Sequence, residues 1–292
     1  MEGGEGDGHR ADEPSGTVAN WAQSIPSWQD RARAMSRGAS QQPPQSLGLH
    51  PRLGYAYGLL SAASIALIPL GPFAGLGIVR MAPTVLLALG VLRATRPVFG
   101  VTITAGLLCG ALGDYFLNTF DPDLGVWGVV AFLVGHVFYI AGLRRGGWHP
   151  TPSRRRLVGA LWAFGLGYGA IIAWVNPLQA VSSIAGVALT PAPQMLPVAP
   201  ALIAYMPALI GMACVAVLRR GSRVLAAGAL VFVASDAIIP LNQFLLPKAH
   251  PGDLYASAAL LFPGFITYYL AQYLIARGAI ADSASRPVPA SG

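Results

Sequence analysis

Arg80, Asp114, His136 and Asp236 are ionisable residues set inside long apolar runs. Placing such a side chain in hydrocarbon costs about 2.5–3.5 kcal/mol on insertion scales, so each marks a candidate functional position. Uncharged polar residues accompany them at Asn118, Tyr139, Tyr205, Ser235, Asn242, Gln243, Tyr268, Tyr269 and Gln272. Asp114 and Asn118 are four residues apart, as are Tyr268 and Gln272, a spacing that puts each pair on one helix face. Gly106, Gly110 and Gly113 precede Asp114 and would let a neighbouring helix come close. Catalytic zinc asks for three His, Cys or carboxylate ligands, yet His9, His50, His149 and His250 all fall in the tail or in loops. No Gly-rich phosphate loop, G-x-S-x-G elbow or HExxH pair occurs. A carboxylate pair in low-dielectric surroundings with a histidine nearby is equipment for moving protons. Plainer roles are open to the same residues: buried structural carboxylates, a packed histidine, and an arginine that snorkels to the interface.

The elements that must hold these groups are membrane spans. Of 292 residues, 54% are hydrophobic and only 11% charged, against about 25% charged in a soluble domain. Mean hydropathy is +0.55. From Leu53 to Ile275 the only acids are Asp114, Asp121, Asp123, Asp236 and Asp253. A soluble enzyme, a disordered chain and a disulfide scaffold are all excluded as descriptions of the whole. Cys109 and Cys214 lie inside apolar runs and read as small hydrophobes. The net charge of +7 comes from arginines clustered between apolar runs, a membrane-topology pattern rather than a nucleic-acid face. Residues 1–48 are rich in Gly, Ser, Pro and Gln and read as a disordered cytoplasmic tail. A membrane domain is expected over 49–277, with a second disordered tail over 278–292.

About 20 apolar residues cross the hydrocarbon as a helix. Eight candidate spans follow, at 53–70, 75–93, 97–119, 124–143, 157–176, 197–218, 224–246 and 254–276. Pro83 and Pro240 interrupt the second and seventh, and 177–196, with Pro177, Pro191 and Pro193, reads as a re-entrant or surface segment. The fold class is therefore all-α and polytopic. Arginines 52, 93, 96, 144, 145, 154, 155, 156, 219, 220, 223 and 277 fall on one side, against Lys248 on the other. By the positive-inside rule both termini are cytoplasmic. At ~1.5 Å per residue, Asp114 lies ~26 Å and Asp236 ~18 Å from the basic ends of their helices, in the outer half of a ~30 Å core. Spans two to four and six to eight also resemble each other. MAPTVLLALGVLR and GALGDYFLNTF in the first set correspond to YMPALIGMACVAVLRR and VFVASDAIIPLNQF in the second. Two four-helix units of like orientation would bring Asp114 and Asp236 from opposite halves to similar depth.

GALGDYFLN, FLVGHVFYI, SDAIIPLNQF and TYYLAQYLIA, in this order over roughly residues 75–277, resemble the lysoplasmalogenase (YhhN-like) family. The family often has Lys-Pro in the second span, where this chain has Ala82-Pro83 with Arg80 two residues earlier. The resemblance implies an eight-helix hydrolase of the cell membrane acting on a lysophospholipid. Such enzymes cleave the vinyl ether of lysoplasmalogens to a fatty aldehyde and glycerophosphoethanolamine or glycerophosphocholine. It makes Asp114 and Asp236 the catalytic carboxylates, with His136 assisting. Arg80, Asn118, Tyr205, Asn242, Tyr268, Tyr269 and Gln272 are the residues left to contact substrate. The chemistry agrees with the inventory of side chains. A vinyl ether must be protonated on carbon, and paired carboxylates in different surroundings divide acid from base work. No cofactor is required and no nucleic-acid partner is expected. A proton-coupled transporter also uses repeats, broken helices and buried acids, and a lipid-binding scaffold is a third reading; aldehyde release separates the first from both.

Overall fold

A computed structural model of the protein describes residues 50–70, 73–95, 97–119, 124–184, 198–242 and 258–285. Eight α-helices run through these residues. They are α1 (Pro51–Ala66), α2 (Leu76–Ala94), α3 (Pro97–Leu117), α4 (Gly125–Leu143), α5 (Pro152–Ile184), α6 (Val198–Leu218), α7 (Arg223–Pro240) and α8 (Leu261–Ala284). Single 3-10 turns follow α1 and α4 and precede α8. Among the described residues there is no strand, only an isolated bridge between Trp148 and Arg219. By length and mean hydropathy, 1.4–2.0, the segments Pro51–Leu70, Leu76–Ala94, Val98–Leu117, Gly125–Gly146 and Arg223–Pro240 can each cross a membrane. This is an all-α polytopic membrane protein.

Six helices close a ring. α2 packs on α3, α3 on α4, α4 on α6, α6 on α7, α7 on α8, and α8 back on α2. Outside it, α1 lies against α2 and α8, and α5 lies against α6. Two four-helix units, α1–α4 and α5–α8, would meet in this way at α4–α6 and α8–α2. The tightest seams, α3–α4 and α7–α8, are made by glycines. A Cβ on Gly113 would come within 2.5 Å of the Phe132 ring, and one on Gly106 within 2.6 Å of the Tyr139 ring. Across the other seam, a Cβ on Gly278 would meet the Leu225 backbone nitrogen at 2.5 Å. Small residues let helix backbones approach where hydrocarbon surroundings provide no hydrophobic drive to associate.

Two expectations change. The helix of the fifth span continues past Pro177 to Ile184, so the re-entrant reading fails for 177–184. A proline removes one backbone bond, and the remaining ladder can carry the helix on. Residues 185–197, with Pro191 and Pro193, lie outside the described residues, as do Arg96, Asp121, Asp123, Gln243, Lys248, Asp253 and both distal tails. The second change is at the C-terminus. α8 runs to Ala284, and Gly278, Ala279, Ile280, Asp282 and Ser283 are buried, where a tail was expected from 278. Asp282 forms an ion pair with Arg219 at 3.1 Å and accepts the Ser222 backbone N–H. These contacts fasten the last two turns to the α6–α7 turn.

Candidate active site

Inside the ring stand two carboxylates, each held by a tyrosine hydroxyl. Asp114, near the end of α3, is 4% exposed. Tyr268 of α8 donates to its Oδ2 at 2.7 Å. A hydroxyl has one proton, so the Tyr268 oxygen, having given its own to Asp114, accepts from Gln272 Nε2 at 3.1 Å. Gln272 Oε1 in turn accepts from Tyr139 of α4 at 2.9 Å. The four residues form a directed chain, Tyr139 to Gln272 to Tyr268 to Asp114, that ends on the carboxylate. The Tyr268 and Gln272 spacing works as expected. Asn118 does something different: its Nδ2 donates to the Asp114 backbone carbonyl at 2.7 Å, closing the end of α3 rather than touching the carboxylate.

Asp236, near the end of α7, accepts from Tyr205 of α6. His136 of α4, 1% exposed, has Nε2 2.7 Å from the same tyrosine oxygen and 3.9 Å from Asp236 Oδ2. Tyr205 spends its proton on Asp236, so His136 must be the donor to Tyr205, with its hydrogen on Nε2. That assignment leaves Nδ1 an acceptor, and it has no hydrogen-bond partner among the described residues.

Phe232, one turn before Asp236, separates the two arms. Its ring lies edge-on, 5.1 Å from the His136 ring and 5.6 Å from the Tyr268 ring. The Arg80 guanidinium sits 4.0 Å from the Phe265 ring centre, in cation–π contact. Tyr269 fastens α8 to two other helices. Its hydroxyl donates to the Arg80 carbonyl at 3.0 Å and lies 2.7 Å from Ser64 Oγ.

The structure thus brings Asp114, Asp236, His136, Arg80, Tyr205, Tyr268, Tyr269 and Gln272 into one helical ring. Asn242 is fully buried just past the end of α7. Sequence reasoning missed Ser64, Tyr57 and Phe232. Phe232 precedes Asp236 by four residues, a same-face spacing that could have found it. Among the described residues, no three His, Cys, Asp or Glu side chains group as metal ligands. The arrangement can give a proton at one carboxyl and accept one at another, with Asp114 and His136 buried.

The YhhN family matches residues 77–279, a stretch that contains the site from Arg80 to Gln272. Lysoplasmalogenase TMEM86A of Homo sapiens is 32% identical over 179 residues, covering 61% of this chain and 65% of that protein. The Bos taurus protein of the same name is 31% identical over the same length. A lysoplasmalogenase of Mycobacterium tuberculosis (strain CDC 1551 / Oshkosh) is 27% identical over 192 residues, 63% of this chain and 64% of that one. The chain thus spans a little less than two thirds of the length of these relatives. No solved structure matches it significantly. With the family pattern running through every helix of the ring, the chain belongs to the YhhN family.

Proposed function

We propose that this protein is an integral membrane hydrolase that cleaves the vinyl ether bond of lysoplasmalogen. The products are a fatty aldehyde and glycerophosphoethanolamine or glycerophosphocholine. One observation carries the reading: two carboxylates, from α3 and α7, each accept from a tyrosine hydroxyl, and the Phe232 ring packs between Tyr268 on one arm and His136 on the other. Relatives named lysoplasmalogenase support the choice of substrate.

In this reading one carboxyl, carrying a proton, transfers it to the vinyl carbon remote from oxygen. The double bond supplies the electron pair, and the neighbouring carbon becomes an oxocarbenium ion. The ionised partner offsets that charge and takes a proton from water as the water adds. The hemiacetal then collapses to aldehyde and alcohol, and the proton balance is restored. His136 Nδ1, an acceptor with no hydrogen-bond partner among the described residues, suits the orientation of that water. The Arg80 guanidinium, over the Phe265 ring, suits a head-group phosphate. Asp114 and Asp236 close their helices at the end remote from Arg93, Arg219 and Arg223. With the positive-inside rule, this supports a site in the outer half of the cell membrane and cytoplasmic termini.

The test is aldehyde release from lysoplasmalogen by the purified, detergent-solubilised protein. Stoichiometric aldehyde and glycerophospho-alcohol are expected. Proton-dependent solute uptake into proteoliposomes, with no aldehyde formed, would replace the hydrolase by a transporter.

A further inference from the structure

We propose that Gln272, anchored by Tyr139, is a positioning residue that fixes the Tyr268 proton on Asp114, and that Asp114 is therefore the base of the reaction and Asp236 the acid. This deepens the hydrolase reading above and rests on it for the reaction itself.

Proton direction separates the two arms. On the first, Gln272 Nε2 donates to the Tyr268 oxygen at 3.1 Å, while Gln272 Oε1 accepts from Tyr139 at 2.9 Å. An amide N–H cannot accept, so Tyr268 gives its own hydrogen to Asp114 Oδ2, 2.7 Å away. Reversing that chain would require the Gln272 amide to turn over, and its side chain is fully buried. Room for the amide is built into α3. A Cβ on Gly110, one turn before Asp114, would stand 3.0 Å from Gln272 Nε2 and 3.5 Å from the Tyr268 hydroxyl.

On the second arm the outer partner is an imidazole. His136 Nε2 lies 2.7 Å from the oxygen of Tyr205, whose hydroxyl donates to Asp236. A neutral imidazole nitrogen donates in one tautomer and accepts in the other. Tyr205 can therefore give a proton to Asp236 or receive one from it, with no side chain turning over. A carboxylate whose tyrosine always donates suits a cycle that begins with it ionised. A carboxyl whose tyrosine follows either state suits one that begins with it protonated.

The steps balance. Asp236 gives its proton to the vinyl carbon remote from oxygen, and the double bond supplies the electron pair of the new C–H bond. Water adds to the oxocarbenium carbon while Asp114 takes one of its protons, on the oxygen that Tyr268 does not hold. The hemiacetal hydroxyl then returns a proton to Asp236. Asp114 protonates the departing glycerol oxygen, which leaves with the C–O electron pair. Both carboxyls end as they began.

Double-mutant kinetics on the full-length, detergent-purified protein test this, with lysoplasmalogen as substrate and aldehyde release as readout. Gln272→Glu keeps the shape but has no N–H, and it offers Tyr268 a second acceptor. It should lower kcat about tenfold or more, part of the usual worth of acid–base catalysis, with KM unchanged. A raised KM with kcat unchanged would make Gln272 a substrate contact and overturn the proposal. Tyr139→Phe removes one hydroxyl, should lower kcat by less, and serves if the Glu variant does not fold. Added to Asp114→Asn, either variant should cost little further, because the group it acts through is already lost. Added to Asp236→Asn, it should keep its full cost. The residual activity of Asp114→Asn should fall as pH rises, since only the acid is left to titrate, and that of Asp236→Asn should rise. His136, Arg80 and the tyrosines of both arms are the same in the two variants, so the contrast belongs to the carboxylates. Full additivity with Asp114→Asn, or the two pH dependences exchanged, overturns the proposal and leaves the hydrolase reading standing. A wild-type protein that releases no aldehyde overturns both.

Discussion

At the scale of residues, the two carboxylates are distinguished by what surrounds them. Asp114 ends a chain of three side-chain donors; Asp236 has Tyr205 and, behind it, His136. Different surroundings let two like groups take different proton-transfer roles. Asp114→Asn and Asp236→Asn should each insert and fold, since the amide keeps the shape and still accepts from the tyrosine. Each should lose about 10²–10⁴ in turnover, the usual worth of a general acid or base, measured as aldehyde release. His136→Gln should lose less, because in the proposed mechanism it only orients water. Turnover against pH should be bell-shaped in the wild type, with limbs belonging to the pair rather than to either residue. Each Asn variant should remove or displace a limb in its residual activity. Wild-type turnover in both Asn variants would make the aspartates structural. The residue types were legible in the sequence because charge inside an apolar run is conspicuous. Their partners were not. Nothing in the linear chain says that Tyr205 meets Asp236 or that Phe232 stands between the arms.

At the scale of elements, glycine spacing was a readable signal, and Gly106 and Gly113 before Asp114 do bring α3 against α4. The end of α8 was not readable. Arg277 looks like the cytoplasmic end of a span, and only the contact of Asp282 with Arg219 and the Ser222 amide shows why the helix goes on. Arg219 is 3% exposed and also lies 5.1 Å from the Phe99 ring. Losing one partner of a buried pair strands the other, at a cost of about 3–5 kcal/mol. Asp282→Ala should therefore lower the melting temperature of the detergent-purified protein by several degrees, and truncation after Arg277 should do at least as much. A truncated protein as heat-resistant as the full chain would return residues 278–284 to the status of a tail.

At the scale of the whole molecule, orientation is the property most open to test. In a background with Cys109 and Cys214 replaced by alanine, Thr119→Cys should be labelled from outside the cell and Ser222→Cys from the cytoplasm. Labelling of both from one side would sink the eight-span topology. Composition alone made this a membrane protein, because 11% charged residues cannot cover a water-soluble sphere. Hydropathy runs alone located the eight helices to within a few residues over most of the chain, since hydrocarbon forces every backbone group into a local helical bond. Those are local and solvent-imposed properties, and a sequence states them directly. Tertiary structure decided the closure of the ring and the tyrosine that meets each carboxylate. Both depend on contacts between residues far apart in the chain, such as Tyr268 with Asp114 at a separation of 154 positions. In an apolar environment many helix faces look alike, so only the packed molecule selects which of them meet.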